Sequence, residues 1–311
     1  MSEKSLFFSI IIPTYNRPEQ LKACLRSIAG LDYPRNRFEV IVVDDGGSVS
    51  LQDLVEMLDG QLDIKLVTQK NAGPASARNL GAINAKGEFL AFIDDDCMAS
   101  SNWLKELADA LIENPTCLIG GYTVNALPEN LFSTSSQTLV HYLYTYYNDR
   151  FDQSRFFTSN NMALSAVLFR DLGGFDVTTL RATAEDRELC DRWLYHGYKM
   201  YYIPNAVVYH SHFLTFGSFL HQHFNYGRGA FYYHQARARR HSKGIRIEPL
   251  FFYLNLIHYP FSKFEKRKAF FVAVLLVISQ VANAAGFLYE SFYRRIKDNY
   301  KLALKGLIHR E

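Results

Sequence analysis

The sequence has few cysteines, few acidic residues in its last third, and no long apolar run near its start. The four cysteines among 311 residues are widely spaced and match no zinc or redox motif, so we expect free thiols in a reducing compartment. The first apolar run, residues 6–12, is too short for the core of a signal peptide. We therefore expect the folded part of the chain to remain in the cytosol.

Charge is distributed unevenly along the chain. Residues 1–212 carry 18 Lys and Arg against 26 Asp and Glu, whereas residues 213–311 carry 16 against 5. The acidic part could hold a cation, and the basic part could face phosphate headgroups. The two parts are therefore expected to have different partners.

The first 125 residues alternate short β-branched or aromatic runs with helical patterns. Strands are predicted at 7–12, 38–43, 63–68 and 88–93, and helices at 18–28, 74–85 and 102–112. The less regular stretch that follows shows a helix at 184–196 and two strands at 199–203 and 206–210. The alternation predicts an α/β fold with a mostly parallel sheet and helices on both faces. In such sheets ligands gather at the carboxyl ends of the strands.

Asp94, Asp95 and Asp96 follow the fourth predicted strand. Three adjacent carboxylates repel one another unless water or a cation compensates, and Mg²⁺ and Mn²⁺ prefer such oxygen ligands. Residues i and i+2 face the same way in an extended chain, so Asp94 and Asp96 could act together. The alternative is a solvated turn that caps the next helix.

Asp44 and Asp45 follow the second predicted strand and precede two glycines. Glycine lets the backbone turn sharply and approach a ligand closely. A carboxylate at this position could accept the N–H of a nucleobase or bind a ribose hydroxyl. The alternative is an ordinary Asp/Gly turn.

Three further motifs carry weaker signals. Gly73 leads into a helix that carries Arg78, an arrangement that suits phosphate oxygens but also fits an ordinary helix start. Glu185 and Asp186 begin a helix, where a carboxylate could deprotonate a hydroxyl or only complement the helix dipole. His210 at a strand end could complete a metal site with carboxylates, although a lone His is more often structural.

The order of these motifs resembles that of inverting glycosyltransferase family 2, which has the GT-A fold. The resemblance covers about residues 7–212 and lies in eight segments, at residues 9–17, 43–46, 71–79, 87–96, 160–163, 173–176, 185–186 and 208–210. Each segment is a weak signal alone, but eight in the same order are highly specific.

The resemblance implies roles for individual residues. The nucleotide-sugar site would comprise Pro13, Thr14, Tyr15, Arg17, Asp44, Asp45, Gly73, Arg78, Asp94 and Asp95. Mn²⁺ or Mg²⁺ would be held by Asp96, Asp94 and His210, and the catalytic residues would be Asp186, as the base, and Glu185 beside it. The family's usual Asp-Gly-Ser reads Asp-Gly-Gly-Ser here, so we expect Ser48 to take the hydroxyl's role.

The resemblance also divides the chain and implies a reaction. Residues 1–125 would bind the nucleotide sugar, 126–212 the acceptor, and 213–311 would form a basic, aromatic helical region. The expected reaction moves a sugar, most simply from a UDP-sugar, to a hydroxyl of a lipid-linked (polyprenyl-diphosphate) or polysaccharide acceptor of the cell envelope. The alternatives are a sugar-phosphate nucleotidyltransferase and a non-catalytic membrane scaffold. The basic stretch with Arg228, Arg237 and Arg240 resembles exopolysaccharide glucosyltransferases, and no nucleic-acid module accompanies it.

Two apolar runs, at about 250–261 and 269–289, predict membrane association. The second is long enough to span a bilayer. Basic residues flank it on both sides, however, and the positive-inside rule then places both flanks in the cytosol. We therefore expect a peripheral, monotopic protein on the cytoplasmic face of the cell membrane, with this run lying in-plane or re-entrant. A single span and a homo-oligomer contact are the alternatives.

Overall fold

The computed structural model describes residues 5–58, 60–148, 153–177, 183–242 and 248–308. The strands are β1 Phe8–Thr14, β2 Phe38–Asp44, β3 Ile64–Thr68, β4 Phe89–Ile93, β5 Cys97–Ala99, β6 Leu118–Asn125, β7 Asn161–Ser165 and β8 Met200–His210. The helices are α1 Pro18–Ala29, α2 Gln52–Glu56, α3 Pro74–Ile83, α4 Trp103–Glu113, α5 Leu131–Tyr147, α6 Ala166–Asp171, α7 Glu185–Tyr195, α8 Phe216–His241, α9 Leu250–His258 and α10 Lys266–Ile308. Short 3₁₀ turns cover Arg35–Arg37 and Tyr259–Ser262.

The described strands form one sheet in the order β3-β2-β1-β4-β7-β6-β8-β5. Strands β1 to β4 pair in parallel, and β6 pairs in parallel with β8. Only β7 and β5 run against their neighbours. The predicted α/β fold with a mostly parallel sheet is therefore confirmed, and the carboxyl ends of β1, β2 and β4 meet at one edge.

Both faces of the sheet are buried by helices. Ile10 and Ile12 point to one side and share a core with Leu25 of α1 and Leu107 of α4. On the other side, Phe92 of β4 contacts Phe169 and Phe175, and its core includes residues of α3, α6 and α7. Because both faces of these strands are buried, their sequences are continuous apolar runs rather than alternating apolar and polar residues.

The stretch that looked irregular in sequence contains two strands and a long helix. Strand β6 includes Gly120 and Gly121, which weaken its β pattern, but the ring of Phe157 fills the space that a side chain at Gly120 would need. Helix α5 is rich in Ser and Thr, which are poor helix formers. Tertiary packing outweighs local propensity in both elements.

The two strands predicted at 199–203 and 206–210 are one strand, β8. Its pairing with β6 continues through residues 200–210 with one register shift, opposite Gly121 and Tyr122. Pro204 lies at this shift, where a missing N–H is tolerated. The break in the sequence pattern therefore marks a bulge and not a loop.

The domain boundaries at 125 and 212 stay a prediction, and both halves share this one sheet.

Helix α10 packs against α5, α8 and α9, and most extensively against α8. Among the described helices, α10 between Lys266 and Lys297 is the one long and apolar enough to cross a membrane, a test that the core helix of a soluble protein also passes. It continues without a break to Ile308. Whether this run lies in the plane of a membrane, re-enters it or spans it therefore stays a prediction.

Close backbone contact fixes the packing of α8 against α10. A Cβ at Gly227 would lie closer than 3.0 Å to the carbonyl oxygen of Asn283, and a Cβ at Gly286 closer than 3.0 Å to that of Phe224. Real Cβ atoms do not approach backbone oxygens this closely. Only glycine at these two positions lets the helices come together as they do.

We predict that Gly227→Ala and Gly286→Ala each destabilise the protein. Alanine is the better helix former by about 1 kcal/mol, but overpacking against a backbone costs about 1–3 kcal/mol or more. Gly217→Ala on α8 is the matched control, because nothing lies within 4 Å of its Cβ position. Thermal unfolding should show a lower Tm for the first two variants and an unchanged or higher Tm for the control. Equal Tm values for all three would contradict this packing.

Candidate active site

One cavity of about 1020 Å³ opens at the edge where β1, β2 and β4 end. Most of the residues expected from the sequence to form the site line it: Pro13, Thr14, Tyr15, Arg17, Asp45, Arg78, Asp94, Asp95, Asp96, Glu185, Asp186 and His210. Asp44, the last residue of β2, and Gly73, just before α3, are not among its lining residues. The carboxylates at the ends of separate elements are therefore brought together, as the parallel strands require.

The three consecutive aspartates have three different environments. Asp94 accepts a hydrogen bond from Arg78 at 2.6 Å. Asp95 accepts one from the Thr14 hydroxyl at 2.8 Å, and burial raises its pKa to about 6. Asp96 contacts His210 at the end of β8. Each of the three carboxylates therefore has its own side-chain partner, unlike the carboxylates of a solvated turn.

Asp96, His210 and His212 form a cluster whose possible ligand atoms lie within 4.8 Å of one another. His210 Nε2 is 3.2 Å and His212 Nδ1 is 3.7 Å from the Asp96 carboxylate. Burial by itself would raise the pKa of Asp96, but the hydrogen bonds from both histidines hold it well below its usual range. One carboxylate oxygen and two imidazole nitrogens are a donor set for a divalent transition metal, and the carboxylate is the ligand type that Mn²⁺ prefers.

This cluster differs in one member from the metal site expected from the sequence. Asp96 and His210 belong to it, but Asp94 is turned to Arg78, and His212 takes its place. The sequence carried a signal for His212, because residues i and i+2 at a strand end can face one way. Arg17 also reaches the Asp96 carboxylate, at 3.1 Å.

Arg78 is buried at the junction of the two halves of the sheet. Its NH1 contacts Glu185 at 3.2 Å and its NH2 contacts Asp94 at 2.6 Å, with side-chain exposure of 4%. The Nε atom has no hydrogen-bond partner among the described residues. Arg78 lines the cavity, so its positive charge lies beside the space where the diphosphate is expected.

Asp45 and Asp44 hold the loops beneath the cavity. Asp45 accepts hydrogen bonds from the backbone N–H groups of Ala72 and Gly73, at 2.8 and 2.9 Å. Gly73 has φ of 93°, which a residue with a side chain rarely adopts, and it begins α3. Asp44 accepts from the N–H of Gly47 at 2.8 Å. These bonds position α3, and with it Arg78, while Asp45 still faces the cavity.

The extra glycine after Asp45 places Ser48 against the loop that follows β1. Its N–H donates to Asn16 Oδ1 at 2.7 Å and its hydroxyl to the same oxygen at 3.1 Å. Ser48 thus links the loops after β1 and β2 at the edge of the site. A role for its hydroxyl toward a ligand stays a prediction.

Asp186 lies in the first turn of α7, beside Glu185. One of its oxygens accepts the N–H of Arg187 at 2.7 Å. Burial, together with the charge of Glu185, raises the pKa of Asp186 to about 7. Ala184, just before the helix, has φ of 73°, an uncommon conformation for a residue with a side chain. A partly buried carboxyl group that titrates near neutrality is suited to accept and release a proton.

Three of the four arginines of α8 form ion pairs rather than the free basic surface expected from the sequence, and the fourth, Arg239, is exposed. Arg237 pairs with Asp191 of α7 at 3.1 Å, and Arg240 pairs with both Asp191 and Glu188. Arg228 pairs with Glu290 of α10 at 2.8 Å. These arginines join α8 to its neighbours, so their charges are already compensated.

Comparison with known proteins supports this arrangement. The family model described as Glycosyl transferase family 2 matches residues 9–173. Glycosyltransferase AglE of Haloferax volcanii is 32% identical over 117 residues, which are 37% of this chain and 38% of AglE. Chondroitin synthase of Pasteurella multocida is 30% identical over 243 residues, 67% of this chain and 25% of that protein. The matches thus cover well under half the length of these relatives.

Solved structures share the fold. The mannosyltransferase PcManGT from Pyrobaculum calidifontis, solved with GDP-Man and Mn²⁺, superposes with a TM-score of 0.59 at 20% identity, covering 97% of this chain and 81% of that one. S. aureus TarS 1–349 superposes with a TM-score of 0.54 at 20% identity, covering 93% of this chain and 92% of the TarS chain. At these identities the likeness shows the fold alone, and the expected GT-A architecture is confirmed.

We predict that His212→Gln weakens Mn²⁺ binding. Loss of an outer-sphere partner costs about 10–100-fold in metal affinity, and loss of a direct ligand should cost at least as much. His221→Gln is the matched control, because His221 is exposed on α8 and does not line the cavity. Calorimetric titration with Mn²⁺ measures both variants. Wild-type affinity in His212→Gln would remove His212 from the site.

Proposed function

The chain belongs to glycosyl transferase family 2, and we propose that it is a metal-dependent inverting glycosyltransferase acting on a nucleoside-diphosphate sugar. The observation that carries the proposal is the single cavity lined by Asp45, Asp96 and Asp186, which come from three separate elements. A UDP-sugar is the donor we favour. TarS has been solved with UDP and with UDP-GlcNAc, and PcManGT with GDP-Man, which supports a nucleotide sugar as the donor class.

The donor is proposed to lie along the ends of β1, β2 and β4. Thr14 and Tyr15 would contact the nucleobase with Asp45, and the guanidinium of Arg78, which lines the cavity, would face the diphosphate. Charge-assisted hydrogen bonds from arginine to phosphate are among the stronger ones in proteins. Asp94 and Glu185 keep the guanidinium oriented toward this position.

Asp96, His210 and His212 would hold Mn²⁺ or Mg²⁺. The low pKa of Asp96 keeps its carboxylate ionised, as a metal ligand must be. When bound, the ion supplies positive charge against the departing nucleoside diphosphate. Arg17, which contacts Asp95 and Asp96, contributes further positive charge on the same side.

Asp186 is proposed as the catalytic base. The acceptor hydroxyl attacks the anomeric carbon, its proton passes to an Asp186 oxygen, and the bond from that carbon to the phosphate oxygen breaks. The nucleoside diphosphate leaves with the electron pair, and the single displacement inverts the anomeric configuration. The N–H of Arg187 fixes the carboxyl group during this step.

The acceptor is proposed to be lipid-linked and the protein to lie on a membrane surface. Leu250, Phe251 and Phe270 are 72%, 74% and 58% exposed on α9 and α10, with Lys266 and Arg267 exposed beside them. The opposite face of α10 is buried against the protein and includes Glu290. A helix with one face packed on its own domain is suited to lie in the interface rather than to span the bilayer.

We predict that Asp186→Asn lowers kcat by about 10²–10⁴-fold, because the acceptor proton then has no base to receive it. Binding of UDP in the presence of Mn²⁺ should stay near wild type. Because the base must be ionised, wild-type kcat should fall as pH decreases through about 7, where Asp186 titrates beside Glu185 and Arg78. Sugar transfer and pH profiles measure both effects.

Asp171→Asn is the control for this prediction, since Asp171 is exposed at the end of α6. It should keep both the rate and the pH profile of the wild type. Wild-type turnover in Asp186→Asn would place the base elsewhere, with Glu185 as the first residue to replace.

We predict that the double variant Phe251→Ser, Phe270→Ser binds anionic lipid vesicles at least tenfold more weakly than wild type. Burial of one large apolar side chain contributes about 1.5–3 kcal/mol. Ile83→Ser is the control, because Ile83 is 72% exposed on α3, away from this surface. Cosedimentation with phosphatidylglycerol vesicles at low and high salt is the measurement. Equal binding by wild type and the double variant would contradict the membrane surface.

A further inference from the structure

The cavity extends well beyond the carboxylates, into the helical region. This extension is lined by apolar side chains of α5, α9 and α10: Leu139, Val140, Leu143, Phe252, Phe287 and Leu288. The whole cavity, about 1020 Å³, is at the top of the range of roughly 300–1,000 Å³ found for sites that hold one small ligand. It therefore has room for a second, apolar ligand beside the donor.

Arg187 stands where the polar and apolar parts of this cavity meet. It follows Asp186 in α7, and its guanidinium lies over the rings of Tyr233, at 4.7 Å, and Tyr147, at 5.6 Å. Its NH2 donates to the Tyr147 hydroxyl at 3.1 Å. That hydroxyl in turn donates to Glu248 at 2.8 Å.

The charge of Arg187 is not paired directly. Within the described ranges, no carboxylate forms an ion pair with it, whereas Arg78, Arg228, Arg237 and Arg240 all have such partners. Aromatic rings orient a guanidinium but compensate its charge only in part. A guanidinium held this way beside a cavity is suited to bind an anion.

The far end of the cavity reaches the proposed membrane surface. Gln280, Ala284, Phe287 and Leu288 line the cavity at helical spacing along one side of α10. Leu288 is also 55% exposed, and Val281 and Phe292 on the neighbouring stripe are 65% and 61% exposed. The apolar lining is thus continuous with the apolar outer face of the same helix.

We propose that Arg187 binds the phosphate of an anionic amphiphile whose hydrocarbon chain lies between α5, α9 and α10. This inference rests on the proposed function, since it identifies the amphiphile as the acceptor and places its head group next to Asp186. A sugar linked to a lipid through a phosphate or diphosphate is the class of acceptor that fits, because Arg187 can hold the phosphate while a sugar hydroxyl faces Asp186. Among the arginines of α8, which the sequence favoured for this role, three are occupied by Asp191, Glu188 and Glu290, and Arg239 is exposed and does not line the cavity.

The test is calorimetric titration of the full-length protein with three probes: decyl phosphate, decanol and inorganic phosphate, the alkyl probes below their micelle concentrations. Wild type should bind decyl phosphate at least tenfold more tightly than either other probe, because only this probe uses both parts of the cavity. Arg187→Gln should lose about tenfold or more in affinity for decyl phosphate, as expected for one charge-assisted hydrogen bond, and leave decanol binding unchanged. Arg187→Lys should recover part of the loss.

A second pair of variants tests the apolar part independently of Arg187. Ala284→Trp fills the cavity beside Phe287 and should weaken both alkyl probes at least tenfold. Ala285→Trp is its control, because Ala285 is exposed on the same helix and does not line the cavity. Equal affinity of wild type for decyl phosphate and inorganic phosphate overturns the inference, as does wild-type decyl phosphate binding by Arg187→Gln or Ala284→Trp.

Titration of the same proteins with UDP and Mn²⁺ separates this inference from the proposed function. Normal UDP binding with no decyl phosphate binding overturns the inference alone. Decyl phosphate binding that depends on Arg187, with no UDP binding, supports the amphiphile site and overturns the donor site.

Discussion

The arrangement of the site depends on Arg78, a buried guanidinium held between Asp94 and Glu185. A buried charge must be compensated, and these two carboxylates come from the end of β4 and the start of α7. The ion pairs therefore fasten the half of the sheet that would hold the nucleotide to the helix that carries the proposed base. Arg78 also lines the cavity, so the same charge that joins these elements lies beside the proposed diphosphate position.

The other charges of the site follow the same principle of local compensation. Thr14 and Arg17 meet Asp95, and His210 and His212 meet Asp96, so these two neighbouring carboxylates each have their own partners. Asp186 differs, because burial and its acidic neighbour raise its pKa to about 7. That contrast separates a carboxylate suited to hold a cation from one suited to exchange a proton.

The helical region completes the site rather than only anchoring it. Helices α5, α9 and α10 form the apolar walls of the cavity, and the contact of Gly227 and Gly286 with opposing backbones sets the spacing of α8 and α10. The same α10 has an exposed apolar face with basic residues at its start. In the proposed membrane orientation, the exposed apolar face and the wall of the cavity therefore belong to the same helix.

Local patterns in the sequence determined the strands β1 to β4, the helices between them and the positions of the acidic motifs, because each depends on neighbouring residues. Parallel strands then bring Asp45 and Asp96 to one edge, which a sequence reading can foresee. The Ser- and Thr-rich α5 and the glycine-containing β6 could not be foreseen, since packing outweighs their propensities.

Charge partners were likewise decided only by the tertiary structure. The sequence shows that α8 is basic, but not that Arg237 and Arg240 meet Asp191 some 50 residues away, while Arg187 is left beside a cavity. It shows His210 and His212, but not that His212 replaces Asp94 at Asp96. An ion pair or metal site joins groups that are distant in the chain, so its membership is fixed by how the elements pack and not by their order.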